Sequence, residues 1–142
     1  MKRSSAQLLL LGTLIVAESI TMARPIDSTR IKGAALFHDY CLRCHGESGT
    51  GSVKISTNSV WVQDPSALVR IIAFGARGPS NNGMGYHRAM PPAPYNDEQI
   101  ALVAMYAMQQ IGKRDVTITA DGVRQIRRQH LDSVRRKLDR KR

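Results

Sequence analysis

The chain has 142 residues, with 21 Lys and Arg against 11 Asp and Glu, for a formal charge of +10. That length suits one small domain with a modest apolar core, and two cysteines are too few for a four-cysteine zinc site. The charge is uneven: residues 24–112 hold eight basic and six acidic side chains, residues 113–142 eleven and four. The basicity therefore belongs to a C-terminal tail, beside a nearly neutral body.

Met1 to Ala23 has the pattern of a secretory signal. Lys2 and Arg3 form a positive start, Leu8 to Ala17 a mostly apolar run, and Thr21-Met22-Ala23 a small-residue cleavage site. The run falls short of the ~20 residues a spanning helix needs, and Glu18 interrupts it. The expectation is an exported protein, soluble or peripheral once cleaved near Ala23. Two spare cysteines in an exported chain would oxidise unless a cofactor occupies them.

Asp27 or Ser28 is the expected cap of a helix running to about Tyr40. Ile31, Ala34, Ala35 and Tyr40 share its apolar side, with Gly33 and Phe37 four apart. Then comes Cys41-Leu42-Arg43-Cys44-His45. Two thiols three apart, followed at once by His, is the attachment pattern of a c-type haem. On a helical turn, positions i and i+3 face the same way, so both sulfurs reach one porphyrin and the imidazole reaches its iron. A redox dithiol is the main competing reading. A zinc site of two cysteines and two histidines is disfavoured, because His38, His87 and His130 form no finger-like pair.

Gly46 to Asn58 is rich in Gly, Ser and Thr and reads as a loop. Asp64-Pro65 starts the next helix, with Ala67, Leu68, Ile71, Ile72 and Phe74 as its apolar face and Gly75 as its end. Trp61 reads as a partly buried core aromatic, or as a residue that packs on a haem edge or donates to a propionate. Gly75 to Pro94 is a long irregular segment, and such a segment in a small domain usually has a task. The expected task is to carry the sixth iron ligand. Met90 is the first candidate, because Pro91 and Pro92 stiffen the backbone behind it. Met84 and His87 are the rivals.

Asn96 is predicted to cap the last helix of the body, with Gln99 completing a capping box and Tyr95 and Ile100 a hydrophobic staple. Ile100, Val103, Ala104, Ala107 and Ile111 form its apolar face, and Gly112 stops it. Val116 to Thr119 reads as extended. Asp121 is the expected cap of a basic helix from Gly122 to about Arg140, with Val123, Ile126, His130, Leu131, Val134 and Leu138 on one face. Three readings of this tail stand: binding an acidic partner protein, lying on anionic lipid, or folding back as an extra helix. Nucleic acid is not an expected partner of an exported chain.

Residues Gly33 to Gly46, Arg88 to Pro92 and Asp97 to Tyr106 together resemble the class I c-type cytochromes, over roughly residues 30 to 112. The resemblance implies an all-α cytochrome c-like fold, with three core helices around one haem plus the basic helical extension. The division is then 1–23 signal, 24–112 cytochrome c domain and 113–142 extension. It implies one covalent haem c on Cys41 and Cys44, with His45 and Met90 as axial ligands, in a periplasmic carrier of single electrons rather than an enzyme. It also implies that Gly33 lets its helix cross the C-terminal core helix, with Tyr106 the chosen contact. Redox partner proteins are expected, among them a dehydrogenase or terminal oxidase. One alternative is the cytochrome subunit of a periplasmic dehydrogenase docked through the tail, suggested by similarity over Asp64 to Gly75. Another is a haem sensor or peroxidase with a labile sixth ligand. The chain departs from the resembling family in one respect: no proline follows His45 before Pro65. Relatives often use a proline carbonyl there to hold the imidazole, so the partner of His45 stays open.

Overall fold

The computed structural model describes residues 28–77 and 89–142. The signal segment, Asp27, Met84, His87 and Arg88 lie outside the described residues. Within them the architecture is all-α, with no strand beyond one isolated bridge between Ala76 and Met90. Helix α1 (Ser28–Leu36) runs through a π-helical turn (Phe37–Cys41) into α2 (Leu42–His45). A short α3 (Val60–Gln63) precedes α4 (Pro65–Phe74), and α5 (Asp97–Gln110) and α6 (Ala120–Asp139) complete the order. No described helix is long and apolar enough to cross a membrane.

Helix α5 is the axis of the body and packs against α1, α4 and α6. Contact on several sides explains why its buried residues spread beyond one stripe, to Ile100, Ala101, Val103, Ala104, Ala107 and Met108. Its start is specified locally. Asn96 Oδ1 accepts from the Gln99 backbone N–H at 2.9 Å, and Gln99 Oε1 accepts from the Asn96 backbone N–H at 3.0 Å, as the sequence predicts. The α4 start is equally local: the Asp64 carboxylate accepts from Ser66 N–H at 2.9 Å, and Pro65 needs no donor there.

Helix α1 crosses α5 at Gly33. A Cβ at this position would lie 2.5 Å from the Leu102 carbonyl oxygen and 2.9 Å from Tyr106 Cβ. The backbones approach this closely only because residue 33 has no side chain. Phe37 then packs its ring on Tyr106, with centroids 5.4 Å apart. The expected Gly33–Tyr106 contact is therefore present. The apolar side assigned to α1 needs correction, because Ile31 is 56% exposed and Ala35 also faces solvent. The inward positions are Gly33, Leu36, Phe37 and Tyr40.

Trp61 is buried in the core, and its Nε1–H donates to the Ser56 carbonyl at 2.9 Å. That bond uses its single donor, which supports the core reading. Residues 113–119 form no strand, and Val116 and Ile118 pack on the core. The cap of α6 is Thr119, whose hydroxyl accepts from Gly122 N–H at 3.1 Å; Asp121 sits in the first turn and pairs with Arg124 instead. The first half of α6 folds back on the body. Val123 is fully buried, and Ile126 packs beside it. Further along, Leu131 and Leu138 are 64% and 58% exposed.

Candidate functional site

The π-helical turn places the two cysteines. A turn closed i to i+5 takes up one extra residue, and such turns often mark functional positions. Here Phe37 stays in the core while Cys41 is half-buried, Cys44 exposed and His45 half-buried. Both thiols are free. The Cys41 thiol is pushed up to about 11, first by burial, then by the nearby charges of Asp39 and Cys44. It therefore stays protonated at neutral pH.

The loop after His45 folds straight back onto the helix end. Gly51 N–H donates to the His45 carbonyl at 2.7 Å, and Val53 N–H to the Cys44 carbonyl at 2.9 Å. Ser52 Oγ adds a longer bond to the same Cys44 carbonyl, at 3.3 Å. These bonds satisfy carbonyls that a helix end leaves without partners. They also bring the Val53 carbonyl to 2.9 Å from His45 Nδ1. A carbonyl only accepts, so Nδ1 carries the proton and Nε2 keeps its lone pair for a metal. Val53 thus supplies the partner that the sequence left open.

Met90 lies where two short arms of chain meet. Ala76 and Met90 exchange backbone hydrogen bonds, at 3.0 and 2.9 Å. The first arm leaves α4 through Gly75, with φ +76° and ψ −179°. That conformation belongs essentially to glycine, and a Cβ there would run into the Met90 carbonyl. The second arm continues through Pro91 and Pro92. The Pro92 carbonyl accepts from Tyr40 Oη at 3.1 Å, and Ala93 N–H donates to the Ile72 carbonyl at 2.9 Å. Tyr95 Oη donates to the Leu36 carbonyl at 2.7 Å, and its ring meets Tyr40 edge-on at 5.9 Å. Two tyrosines therefore strap the Met90 arms to the helix that carries Cys41. Sequence reasoning missed both, although Tyr40 stands directly before Cys41.

Four predicted site residues thus belong to two linked pieces: Cys41, Cys44 and His45 on one continuous helix, Met90 on arms tied to it. Among the described residues no cluster of three or more His, Cys, Asp or Glu is placed to hold a bare metal ion. The donor set does fit a haem: two thiols one turn apart, an imidazole with Nε2 free, and a thioether on a stiffened segment.

A family model described as Cytochrome c matches residues 31–110. The chain is also similar to the fructose dehydrogenase cytochrome subunit of Gluconobacter japonicus, 30% identical over 122 residues. That similarity covers 74% of this chain but 24% of the relative, so the chain spans about a quarter of the relative's length.

Proposed function

Since the chain belongs to the cytochrome c family, an electron-transfer family, we propose that it carries one haem c covalently on Cys41 and Cys44, with His45 and Met90 as axial ligands. The haem supplies a one-electron couple at its iron. The residues of the chain do the rest. Cys41 and Cys44 tether the ring, the Val53 carbonyl fixes the imidazole tautomer and direction, and Tyr40 and Tyr95 hold the Met90 arms against the tether helix. A thioether ligand and an apolar surround both raise the reduction potential. With His45 and Met90 both serving as ligands, no position would be left open for a substrate, which favours a carrier over a sensor or peroxidase. The carrying observation is the bond from His45 Nδ1 to Val53, which leaves Nε2 free directly behind two thiols.

The test is a spectrum of protein exported from a host able to mature c-type haem. Pigment that survives acidified organic solvent supports covalent attachment; pigment that leaves overturns it. The oxidised protein should show a sulfur-to-iron charge-transfer band, lost in Met90→Ala, and the reduced protein should not bind carbon monoxide.

The second reading is a cytochrome subunit of a periplasmic dehydrogenase; the relative's name supports the dehydrogenase part of it. The docking element is the outer half of α6. There Leu131, Val134 and Leu138 are exposed at i, i+3 and i+7, the spacing of a helix seated in a partner's groove. Arg135, Arg136, Lys137, Arg140, Lys141 and Arg142 outnumber Asp132 and Asp139 in the same segment, which suits an acid-rimmed groove and disfavours a second copy of this chain. Deleting residues 131–142 leaves Val123 in the core and should release a co-purifying larger subunit. Retention of the subunit by the shortened chain would count against the arm. Binding of the full chain to anionic vesicles alone would instead favour a lipid surface.

A further inference from the structure

Resting on the reading of Met90 as an axial ligand, we propose that Arg127 is a positioning residue for that ligand, stapling together the two arms of chain that carry it. The first arm leaves α4 at Phe74, and the second ends at Tyr95 and the α5 cap. Arg127 reaches both. Its guanidinium carbon lies over the Phe74 ring, 5.9 Å from the centroid. Its Nη2 donates to the Tyr95 carbonyl at 3.1 Å, and its Nε donates to Asp97 Oδ1 at 2.7 Å. The side chains of Arg127 and Asp97 are only 31% and 23% exposed, so solvent screens this contact less than a surface pair. His130, almost a turn further on, stacks on the same Phe74 ring at 3.8 Å and 15°.

The arms need an outside tie. Pro91, Pro92 and Pro94 have no N–H to give, so the second arm is held by its bonds to Ala76, Ile72 and the two tyrosines, and none of these ties the end of α4 to the start of α5. Only a planar fork can serve both arms at once: the guanidinium donates in two directions while its face covers a ring, which an ammonium does not do. The staple has a firm base, because Val123 anchors the same helix in the core. On this account the C-terminal helix does more than present a docking face. It sets how firmly the sixth ligand is held.

The test uses the full, haem-loaded chain and imidazole as a competitor for the Met90 position. Arg127→Ala should bind imidazole to the oxidised protein roughly ten- to a hundredfold more tightly, the scale of losing hydrogen bonds to a charged group. Its sulfur-to-iron band should weaken and its potential fall, at unchanged helix content. Arg127→Lys should lie between the two. Arg124→Ala should behave as the parent; its ion pair with the same Asp97, at 3.6 Å, tests the salt bridge alone. Parental imidazole affinity and band in Arg127→Ala would overturn the staple, and so would an equal change in Arg124→Ala. Should Arg127→Ala fail to fold, Arg127→Lys decides, with parental affinity overturning the proposal. Met90→Ala separates the two ideas. If it keeps the band, the ligand reading falls and the staple falls with it. If it loses the band while Arg127→Ala keeps it, the staple alone falls.

Discussion

Cys41, Cys44 and His45 lie within one helical turn of each other, and the carbonyl that holds the imidazole comes from Val53, eight residues on. Met90 is held differently. Its arms depend on Gly75, Ile72 and Tyr40, and the Tyr40 bond to Pro92 spans 52 residues of sequence. The imidazole side closes a short loop at small entropic cost, whereas the thioether side exists only once the helices have met. Damage to packing should therefore reach Met90 first and leave His45 in place.

His45→Ala attacks the short-range side directly and should be the most severe change. On the proposed attachment, the low-spin spectrum should disappear and carbon monoxide should bind the reduced protein, while the pigment should stay attached through Cys41 and Cys44. A parental spectrum in this variant would remove His45 from the site.

Gly75→Ala attacks the long-range side. The glycine-only backbone conformation costs an alanine about 1–3 kcal/mol, before the overlap with the Met90 carbonyl is counted. The sulfur-to-iron band should fade while the tethers and the imidazole ligand persist. Equal loss on both sides would contradict the asymmetry.

Tyr95 makes the same side sensitive to alkali. Its hydroxyl is pushed up from 10.0 to about 12, first by burial and then by Asp39. Between those pH values the folded chain holds a proton that the unfolded chain has released. Stability from this group is complete below pH ~10 and is lost as pH rises through about 12. Urea midpoints should fall more steeply over that window in the parent than in Tyr95→Phe; matching slopes would dismiss the effect. Tyr40→Phe should be the mildest, removing one partly exposed hydrogen bond worth about 1 kcal/mol. Imidazole affinity should rise a few-fold, with the melting temperature falling by only a few degrees.

The same divide decides what could be read from the chain alone. The Cys-x-x-Cys-His run and the Asn96–Gln99 capping box are local patterns of residue type, and both were legible. So were the all-α class and the α4 start at Asp64-Pro65. The hold on His45 was not, because its acceptor is a backbone carbonyl and any residue could supply it. The π-helical turn has no residue signature either. Four-residue α3 is too short to show a period. Thr119 and Asp121 are both acceptable caps, and the choice depends on where residues 113–119 leave the core. In α6 the apolar stripe runs unbroken from Val123 to Leu138, so periodicity could not show where the body stops covering it. Tyr40 and Tyr95 looked like ordinary core residues, since their hydrogen bonds join segments far apart in sequence.

The wide turn at Phe37–Cys41 means that this helix carries one residue more than its two working faces require. Elsewhere in a helix, a single-residue deletion rotates everything downstream by about 100°. Here the loss of His38 or Asp39, both at the surface, would let the coil tighten and leave Gly33 against Leu102 with the thiols still in phase. The segment is a built-in slack, where a homologue one residue shorter could superimpose on this chain without moving its chemistry.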